Sequence, residues 1–311
     1  MSVDTLNQDV KSQIDNLLMD TKKSSLDIAK TNTETKNLLL IDIAKNINES
    51  RTSILLNNEK DLNLLDPKNF SPAFYDRLKL NDERIDQMIQ NINEVIDLED
   101  PVRKNRFLYE RPNGLKVFKQ SIPLGVICII YESRPNVTSD AASLCLKSGN
   151  SVLLRGGSEC FNTNKILVDI IQKSLIKNNI NKDSVNLVPY TDREVMKYIL
   201  RKDDDVDLVI PRGGEGLIRF VSENSSIPVI KHYKGVCHVY LDSEADLKIA
   251  HDIAINSKIQ RPGVCNAMET LIINKNLPKD FILNLLHEFI NNKVLIYGED
   301  ELSNYISNDL F

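Results

Sequence analysis

From Pro123 onward, apolar segments with the length of strands alternate with segments that carry helical periodicity. The most apolar is Gly125-Val-Ile-Cys-Ile-Ile-Tyr131, a continuous run typical of a parallel strand with helices on both faces. Further strand-like runs lie at 151–154, 185–188, 206–210, 228–230 and 236–241. This alternation predicts an α/β fold with a doubly wound sheet, in which ligands bind beyond the carboxyl ends of the strands.

The segment before this region has a different pattern. Residues 8 to about 100 carry helical periodicity, which predicts helices that serve packing alone. Two alternating segments then flank Asn113-Gly114, the strongest short-range signal for a β-hairpin. We therefore expect a hairpin at about 104–121. It could project and pair with the sheet of a partner, although an ordinary surface hairpin explains the pattern equally well.

Composition argues against several classes of function. Lys and Arg total 39 against 44 Asp and Glu, and a net charge of −5 does not favour nucleic acid or an acidic membrane as main partner. No apolar run approaches the length of a membrane span. The five cysteines are odd in number and not closely paired, which favours a reducing compartment. We therefore expect a cytoplasmic protein. The four histidines are scattered, so we expect no metal site.

Cys265 lies in a turn that could present its sulfur. The turn begins at Pro262 and leads into an apolar run at Thr270–Ile273. Backbone N–H groups at the end of an element are free to hold a developing oxyanion, and the nearby charge of Arg261 favours a thiolate. The residues alone leave two interpretations open, a catalytic nucleophile or a half-buried structural cysteine.

Two glycine turns follow predicted strands, and each has an arginine at its edge. They are Arg155-Gly-Gly-Ser-Glu159 and Pro211-Arg-Gly-Gly214. Such junctions offer N–H groups and a helix dipole to a phosphate, although neither turn matches G-x-G-x-x-G and each alone is often only a tight turn. Together they indicate a phosphate-bearing cofactor. A third polar turn at 132–136 is expected on the same edge of the sheet.

Five motifs resemble a known family. The motifs are Tyr131-Glu-Ser-Arg-Pro-Asn-Val-Thr138, Leu153-Leu-Arg-Gly-Gly-Ser-Glu159, Ile210-Pro-Arg-Gly-Gly214, His232-Tyr-Lys-Gly-Val-Cys-His-Val-Tyr240 and Gln260-Arg-Pro-Gly-Val-Cys-Asn-Ala-Met-Glu-Thr270. From about residue 8 to the end, the chain resembles the glutamate-5-semialdehyde dehydrogenase (gamma-glutamyl phosphate reductase) family of the aldehyde dehydrogenase superfamily. The resemblance implies NADPH-dependent reduction of L-glutamyl 5-phosphate to the semialdehyde with release of phosphate, the second step of L-proline biosynthesis.

The resemblance also implies roles for residues. Cys265 would attack the acyl phosphate, and Asn136 or Arg134 would stabilise the oxyanion. The cation of Arg155 and the hydroxyl of Ser158 would suit a 2′-phosphate. The expected residues are, for catalysis, Cys265 and Asn136; for the cofactor, Arg155, Gly156, Gly157, Ser158, Glu159, Gly213 and Gly214; and for the substrate, Arg134, His232, Arg261 and Asn266.

Family members continue beyond the last motif by a further segment. The resemblance therefore implies an NADP-binding domain over 1–235, hairpin included, and an incomplete α/β catalytic domain over 236–311 with a strand at 294–297. We expect a homo-oligomer at full length, with glutamate 5-kinase as a possible partner, and a self-associating, inactive 311-residue chain.

Two alternatives to this reductase remain open. One is a truncated, non-catalytic nucleotide-binding or interaction module. The other is a hydrolase or acyltransferase that uses Cys265 with His232 or His238.

Overall fold

The computed structural model describes residues 6–66, 72–231, 235–262 and 264–299. The chain divides into two compact units, Met1–Lys231 and His232–Phe311. Each unit has a hydrophobic core of its own. Among the described residues, no helix combines the length and the apolar character that a membrane crossing needs.

The first unit opens with helices, as the periodicity predicts. In α5, apolar residues at helical spacing bury one face, with Ile85, Met88, Ile92 and Val95 all in the interior. Asn81 caps this helix, since its side-chain oxygen accepts a hydrogen bond from the N–H of Arg84 at 2.9 Å. The described helices of this region are α1 (Gln8–Ile28), α2 (Thr33–Glu49), α3 (Arg51–Asn63), α4 (Pro72–Leu78) and α5 (Asp82–Asp97).

The predicted hairpin is confirmed. Strands β1 (Asn105–Glu110) and β2 (Lys116–Gln120) pair antiparallel. Gly114 takes the left-handed conformation that the turn requires, with φ at 84°. Phe107 and Phe118 stack edge to face across the two strands, with ring centroids 5.5 Å apart. Every residue of β1 is exposed.

A four-stranded parallel sheet forms the centre of the first unit, with strand order β5-β4-β3-β6. Strands β3, β4 and β5 follow one another toward one edge of the sheet, whereas β6 pairs with the other side of β3. The switch point of the sheet therefore lies between β3 and β6, where ligands of doubly wound folds bind. The elements are β3 (Val126–Tyr131), α6 (Asn136–Lys147), β4 (Ser151–Arg155), α7 (Phe161–Lys177), β5 (Val185–Leu187), α8 (Arg193–Ile199), β6 (Leu208–Arg212) and α9 (Glu215–Asn224).

Helices cover both faces of this sheet, as the continuous apolar run of β3 predicts. All six residues of β3 are buried, and alternate ones belong to different cores. Ile127, Ile129 and Tyr131 pack with residues of α2, α5, α6 and α7, whereas Val126, Cys128 and Ile130 pack with residues of α1, α8 and α9. The doubly wound α/β fold is confirmed.

The second unit is a strand–helix–strand–helix segment. Its elements are β7 (Cys237–Leu241), α10 (Leu247–Ile259), β8 (Met268–Ile273) and α11 (Lys279–Asn291). Strands β7 and β8 pair in parallel, so α10 is the crossover between them. The core of this unit contains Leu241, Ala254, Met268, Leu285 and Phe289, among others.

Two predicted strands are wrong. Residues 294–299 have no regular secondary structure, because after Lys293 (φ 62°) the N–H of Val294 donates to the carbonyl of Phe289 and closes α11. The run at 228–230 is reduced to a single bridge between Val209 and Val229. An apolar run becomes a strand only where a neighbouring strand accepts its hydrogen bonds, and local sequence does not reveal whether such a neighbour exists.

Candidate functional site

Three polar turns meet at the carboxyl edge of the central sheet. The N–H of Glu132 donates to the carbonyl of Arg212 at 3.3 Å, which extends the pairing of β3 with β6. The Glu132 carboxylate accepts the N–H of Gly214 at 3.0 Å. Glu159, from the turn after β4, accepts both the N–H and the hydroxyl of Ser133, at 2.8 and 2.9 Å. Two carboxylates therefore join the turns that follow β3, β4 and β6.

The glycines of these turns leave room for the two carboxylates. A Cβ at Gly213 would lie 2.6 Å from Oε2 of Glu132, and a Cβ at Gly157 would lie 2.2 Å from Oε1 of Glu159. Gly156 is enclosed as well, since its Cβ would lie 2.1 Å from Nδ2 of Asn164. Gly214 is the residue that precedes α9, so Glu132 brings an anionic oxygen to the amino end of that helix. This arrangement fits a turn that accepts anionic groups.

Arg155 ends β4 beside these turns and is only partly exposed. One guanidinium nitrogen donates to the carbonyl of Thr191, whereas Nε is buried without a hydrogen-bond partner in the described part of the chain. Burial lowers the pKa of Arg155, and the nearby Glu159 carboxylate opposes that shift. A half-buried cation with an unused donor fits an anionic ligand such as phosphate.

Arg193 is a residue that the sequence analysis missed. It is the first residue of α8, two positions after Thr191, which accepts the hydrogen bond from Arg155. The Arg193 charge also contributes to lowering the pKa of Arg155, so the two cations lie near each other. Its position in the sequence could have indicated this role, because Arg193 begins the helix that follows β5, the strand next to β4. Ser158, which the sequence analysis placed with Arg155, is exposed at the start of a 3₁₀ turn.

The two oxyanion candidates occupy different surroundings. Asn136 is the first residue of α6, and its Nδ2 donates to Asp140 at 3.0 Å. Asp140 also accepts from Nδ2 of Asn91 at 3.1 Å, and its burial raises its pKa. The amide nitrogen of Asn136 is thus already engaged within the first unit. Arg134 is exposed in the turn that precedes α6.

Cys265 lies in the turn between α10 and β8 of the second unit. It is exposed, and so are Arg261 and Asn266 of the same turn. Cys128, Cys145 and Cys160 are buried, and burial raises the pKa of each to about 12. The exposed thiol of Cys265 is therefore far better placed to react than any of these three.

The histidines add no further chemistry to this turn. His232 lies outside the described residues, as does Gly263. His238 is exposed, and its Nδ1 is 2.8 Å from the carbonyl of Val236. Within the described ranges, no cluster of three or more His, Cys, Asp or Glu side chains is arranged to hold a metal ion.

Comparison with known proteins identifies the family. No protein-family model matches the chain. A gamma-glutamyl phosphate reductase of Citrifermentans bemidjiense is 46% identical over 290 residues, which cover 93% of this chain and 69% of that protein. One from Sulfurihydrogenibium sp. is 47% identical over 281 residues, covering 90% and 63%. The chain belongs to the gamma-glutamyl phosphate reductase family.

Solved structures agree with this membership. The gamma-glutamyl phosphate reductase of Thermotoga maritima matches with a TM-score of 0.85 and 37% identity over 94% of this chain and 71% of that one. Glyceraldehyde-3-phosphate dehydrogenase GapN of Methanocaldococcus jannaschii, solved with NADP, matches with a TM-score of 0.62 at 15% identity over 89% of this chain and 58% of that one, which shows the fold alone. Both the resemblance to gamma-glutamyl phosphate reductases and the aldehyde-dehydrogenase-like fold are thereby confirmed.

Proposed function

We propose that this protein catalyses the reduction of L-glutamyl 5-phosphate to L-glutamate 5-semialdehyde with NADPH and the release of phosphate, the second step of L-proline biosynthesis. The observation that carries the proposal is 46% identity to a gamma-glutamyl phosphate reductase over 93% of the chain. The exposed thiol of Cys265 supports it, because an acyl-phosphate reductase needs an accessible nucleophile.

Cys265 performs the covalent step. Its sulfur attacks the acyl carbon of the substrate, and the carbon–oxygen bond to phosphate breaks to leave a thioester. Reduction of the thioester requires a hydride, which NADPH would supply when bound at the turns of the central sheet. The sulfur then departs as the aldehyde forms, which restores the thiol. The proposed substrate contacts are Arg134, Arg261, Asn266 and His232. The oxyanion donor is Asn136 or Arg134.

The turns of the central sheet hold the cofactor. Arg155, with its unused Nε, binds the 2′-phosphate together with the hydroxyl of Ser158. Arg193 adds a second cation to this contact. The turn that contains Gly213 and Gly214 receives the pyrophosphate or nicotinamide end, where the N–H of Gly214 now meets the Glu132 carboxylate. Gly156, Gly157 and Glu159 shape the turn after β4.

We also propose that the protein acts in the cytoplasm as a homo-oligomer and takes its substrate from a glutamate 5-kinase. The fully exposed strand β1 supports self-association, since a two-stranded hairpin on its own is only marginally stable in water. The hairpin would pair with a strand of another subunit and so gain a neighbour.

Replacing the nucleophile tests the reaction. In the protein extended to the full length of its relatives, Cys265→Ala abolishes the phosphate-dependent oxidation of glutamate 5-semialdehyde, the convenient reverse assay, because alanine has no sulfur to form the thioester. The matched control is Cys145→Ala, which removes a buried thiol of α6 and retains turnover with a modest loss of stability. Near-parental turnover in the Cys265 variant would contradict the mechanism.

A further inference from the structure

Two cysteines of the second unit lie side by side. Cys237 is the first residue of β7, and Cys265 lies in the turn that leads into β8, the parallel neighbour of β7. The sulfur of Cys237 is 3.4 Å from the backbone carbonyl oxygen of Cys265. Because that oxygen is two bonds from the Cα of Cys265, the Cys237 sulfur lies directly against the backbone that carries the proposed nucleophile.

These two thiols differ from the other three in exposure. Cys265 is exposed and Cys237 is partly exposed, whereas Cys128, Cys145 and Cys160 are buried. Oxidation of cysteine follows thiolate character and access, so an oxidant in solution reaches Cys265 first. An exposed reactive cysteine beside a second thiol is the arrangement found in reversible redox pairs.

We propose that Cys237 is a resolving thiol that converts oxidised Cys265 into an intramolecular disulfide. Hydrogen peroxide supplies the oxidising equivalents. The Cys265 sulfur donates an electron pair to one peroxide oxygen, the O–O bond breaks, and the departing hydroxide takes up a proton, which leaves a sulfenic acid and water. The Cys237 sulfur then attacks the Cys265 sulfur, the S–O bond breaks, and a second water leaves. Two thiols are oxidised and one peroxide is reduced.

The local backbone permits this closure. A disulfide requires Cα atoms about 4.4–6.8 Å apart. The contact between the Cys237 sulfur and the Cys265 backbone brings this separation within reach. Cys265 belongs to no helix or strand, and the backbone hydrogen bonds on either side of it are long, at 3.3 Å from Val264 to Arg261 and at 3.2 Å from Ala267 to Val264. Its side chain can therefore turn toward Cys237 without breaking the β7–β8 pairing.

Closure would protect the nucleophile from irreversible oxidation. Sulfinic and sulfonic acids at Cys265 would inactivate the enzyme permanently, whereas a disulfide is reopened by a dithiol. This consequence rests on the proposed function of Cys265. Disulfide formation itself does not, because it depends only on the two sulfurs.

Peptide mass spectrometry of the 311-residue chain tests the inference. The chain is treated with a stoichiometric amount of hydrogen peroxide at neutral pH, its free thiols are blocked, and it is digested with trypsin without reduction. The expected product joins peptide 235–248, with Cys237, to peptide 259–275, with Cys265; it weighs two hydrogens less than the separate peptides and is lost on treatment with dithiothreitol. Mixing isotope-labelled with unlabelled chains distinguishes a bond within one chain from a bond between chains.

Variants distinguish a resolving role of Cys237 from oxidation of Cys265 that depends on its exposure alone. In Cys237→Ser the joined peptide is absent and Cys265 accumulates as sulfinic and sulfonic acid, whereas Cys145→Ser behaves like the parent. Cys237→Ala serves as a second variant, and the parent digest decides the matter if neither folds. Absence of the joined peptide in the parent, a mixed-isotope bond, or equal over-oxidation of Cys265 in parent and Cys237 variants would each overturn the proposal. Failure of the proposed function would appear separately, as unchanged turnover in Cys265→Ala.

Discussion

At the scale of single residues, two carboxylates at the carboxyl edge of the sheet accept hydrogen bonds from neighbouring turns rather than from their own. Glu132 follows β3 but binds the turn after β6, and Glu159 follows β4 but binds the turn after β3. Burial lowers the pKa of Arg155, and the charges of both carboxylates act against that larger effect. Its buried Nε has no hydrogen-bond partner among the described residues, which makes Arg155 the first residue to replace in a test of the proposed cofactor site.

Arg155→Ala is expected to weaken NADPH binding far more than NADH binding. Loss of a charge-assisted contact to phosphate costs about 1.5–3 kcal/mol, which is roughly a tenfold to hundredfold loss of affinity. Arg193→Ala should act in the same direction but less strongly, because Arg193 is exposed. Fluorescence titration with both cofactors measures the difference, with Arg201→Ala, another exposed arginine, as control. Equal weakening of NADPH and NADH would move the 2′-phosphate contact elsewhere.

At the scale of elements, helix α7 is capped by a residue from α3. The residue before α7, Cys160, makes no side-chain cap. Asp61 supplies it instead, since its two oxygens accept from the N–H groups of Asn162 and Thr163 at 3.0 and 2.8 Å and also from both side chains. Asp61 is 2% exposed. Because α7 follows the turn after β4, this cap also fixes where that turn ends.

Asp61→Ala is expected to destabilise the first unit by about 3 kcal/mol, because it leaves several buried donors at the start of α7 without an acceptor. Urea denaturation followed by circular dichroism measures the free energy of unfolding. Glu59→Ala is the matched control, since Glu59 lies on the same helix and is exposed. A loss in the Asp61 variant no larger than in the control would show that the cap does not stabilise α7.

At the scale of the whole molecule, the hydrophobic cores divide where the chain divides. The two cores of the central sheet draw only on residues up to Val229, and the third core only on residues from Val239 onward. Ile227 is among the last contributors to the sheet, buried at 3% exposure, and Val229 follows with a bridge to Val209. Among the described residues, each core belongs to one unit.

A polypeptide that ends at Lys231 is therefore expected to fold by itself and to unfold in one cooperative thermal transition. A shorter polypeptide that ends at Asn224 is the control, and it should melt at a lower temperature because it lacks Ile227 and Val229. Circular dichroism at increasing temperature compares the two. A gradual, non-cooperative loss of signal from the polypeptide ending at Lys231 would show that the first unit depends on the second.

The sequence by itself determined the fold class and indicated the family. Periodicity assigns helices and strands because backbone geometry alone sets where successive side chains point, every second residue in a strand and every third or fourth in a helix. The buried run of β3, the Asn113-Gly114 hairpin and the exposed turn of Cys265 all follow from such local patterns. The motifs around Cys265 and the glycine turns were sufficient to indicate the family.

Tertiary structure alone decided which distant side chains meet. Glu132 reaches Gly214 across 82 positions of the chain, Asp61 reaches Asn162 across 101, and Cys237 reaches Cys265 across 28. It also decided that 294–299 form no strand. These outcomes depend on strand order, on register and on whether a neighbour is present to accept a hydrogen bond. Local spacing cannot encode them, because it describes only the directions of neighbouring residues along one element.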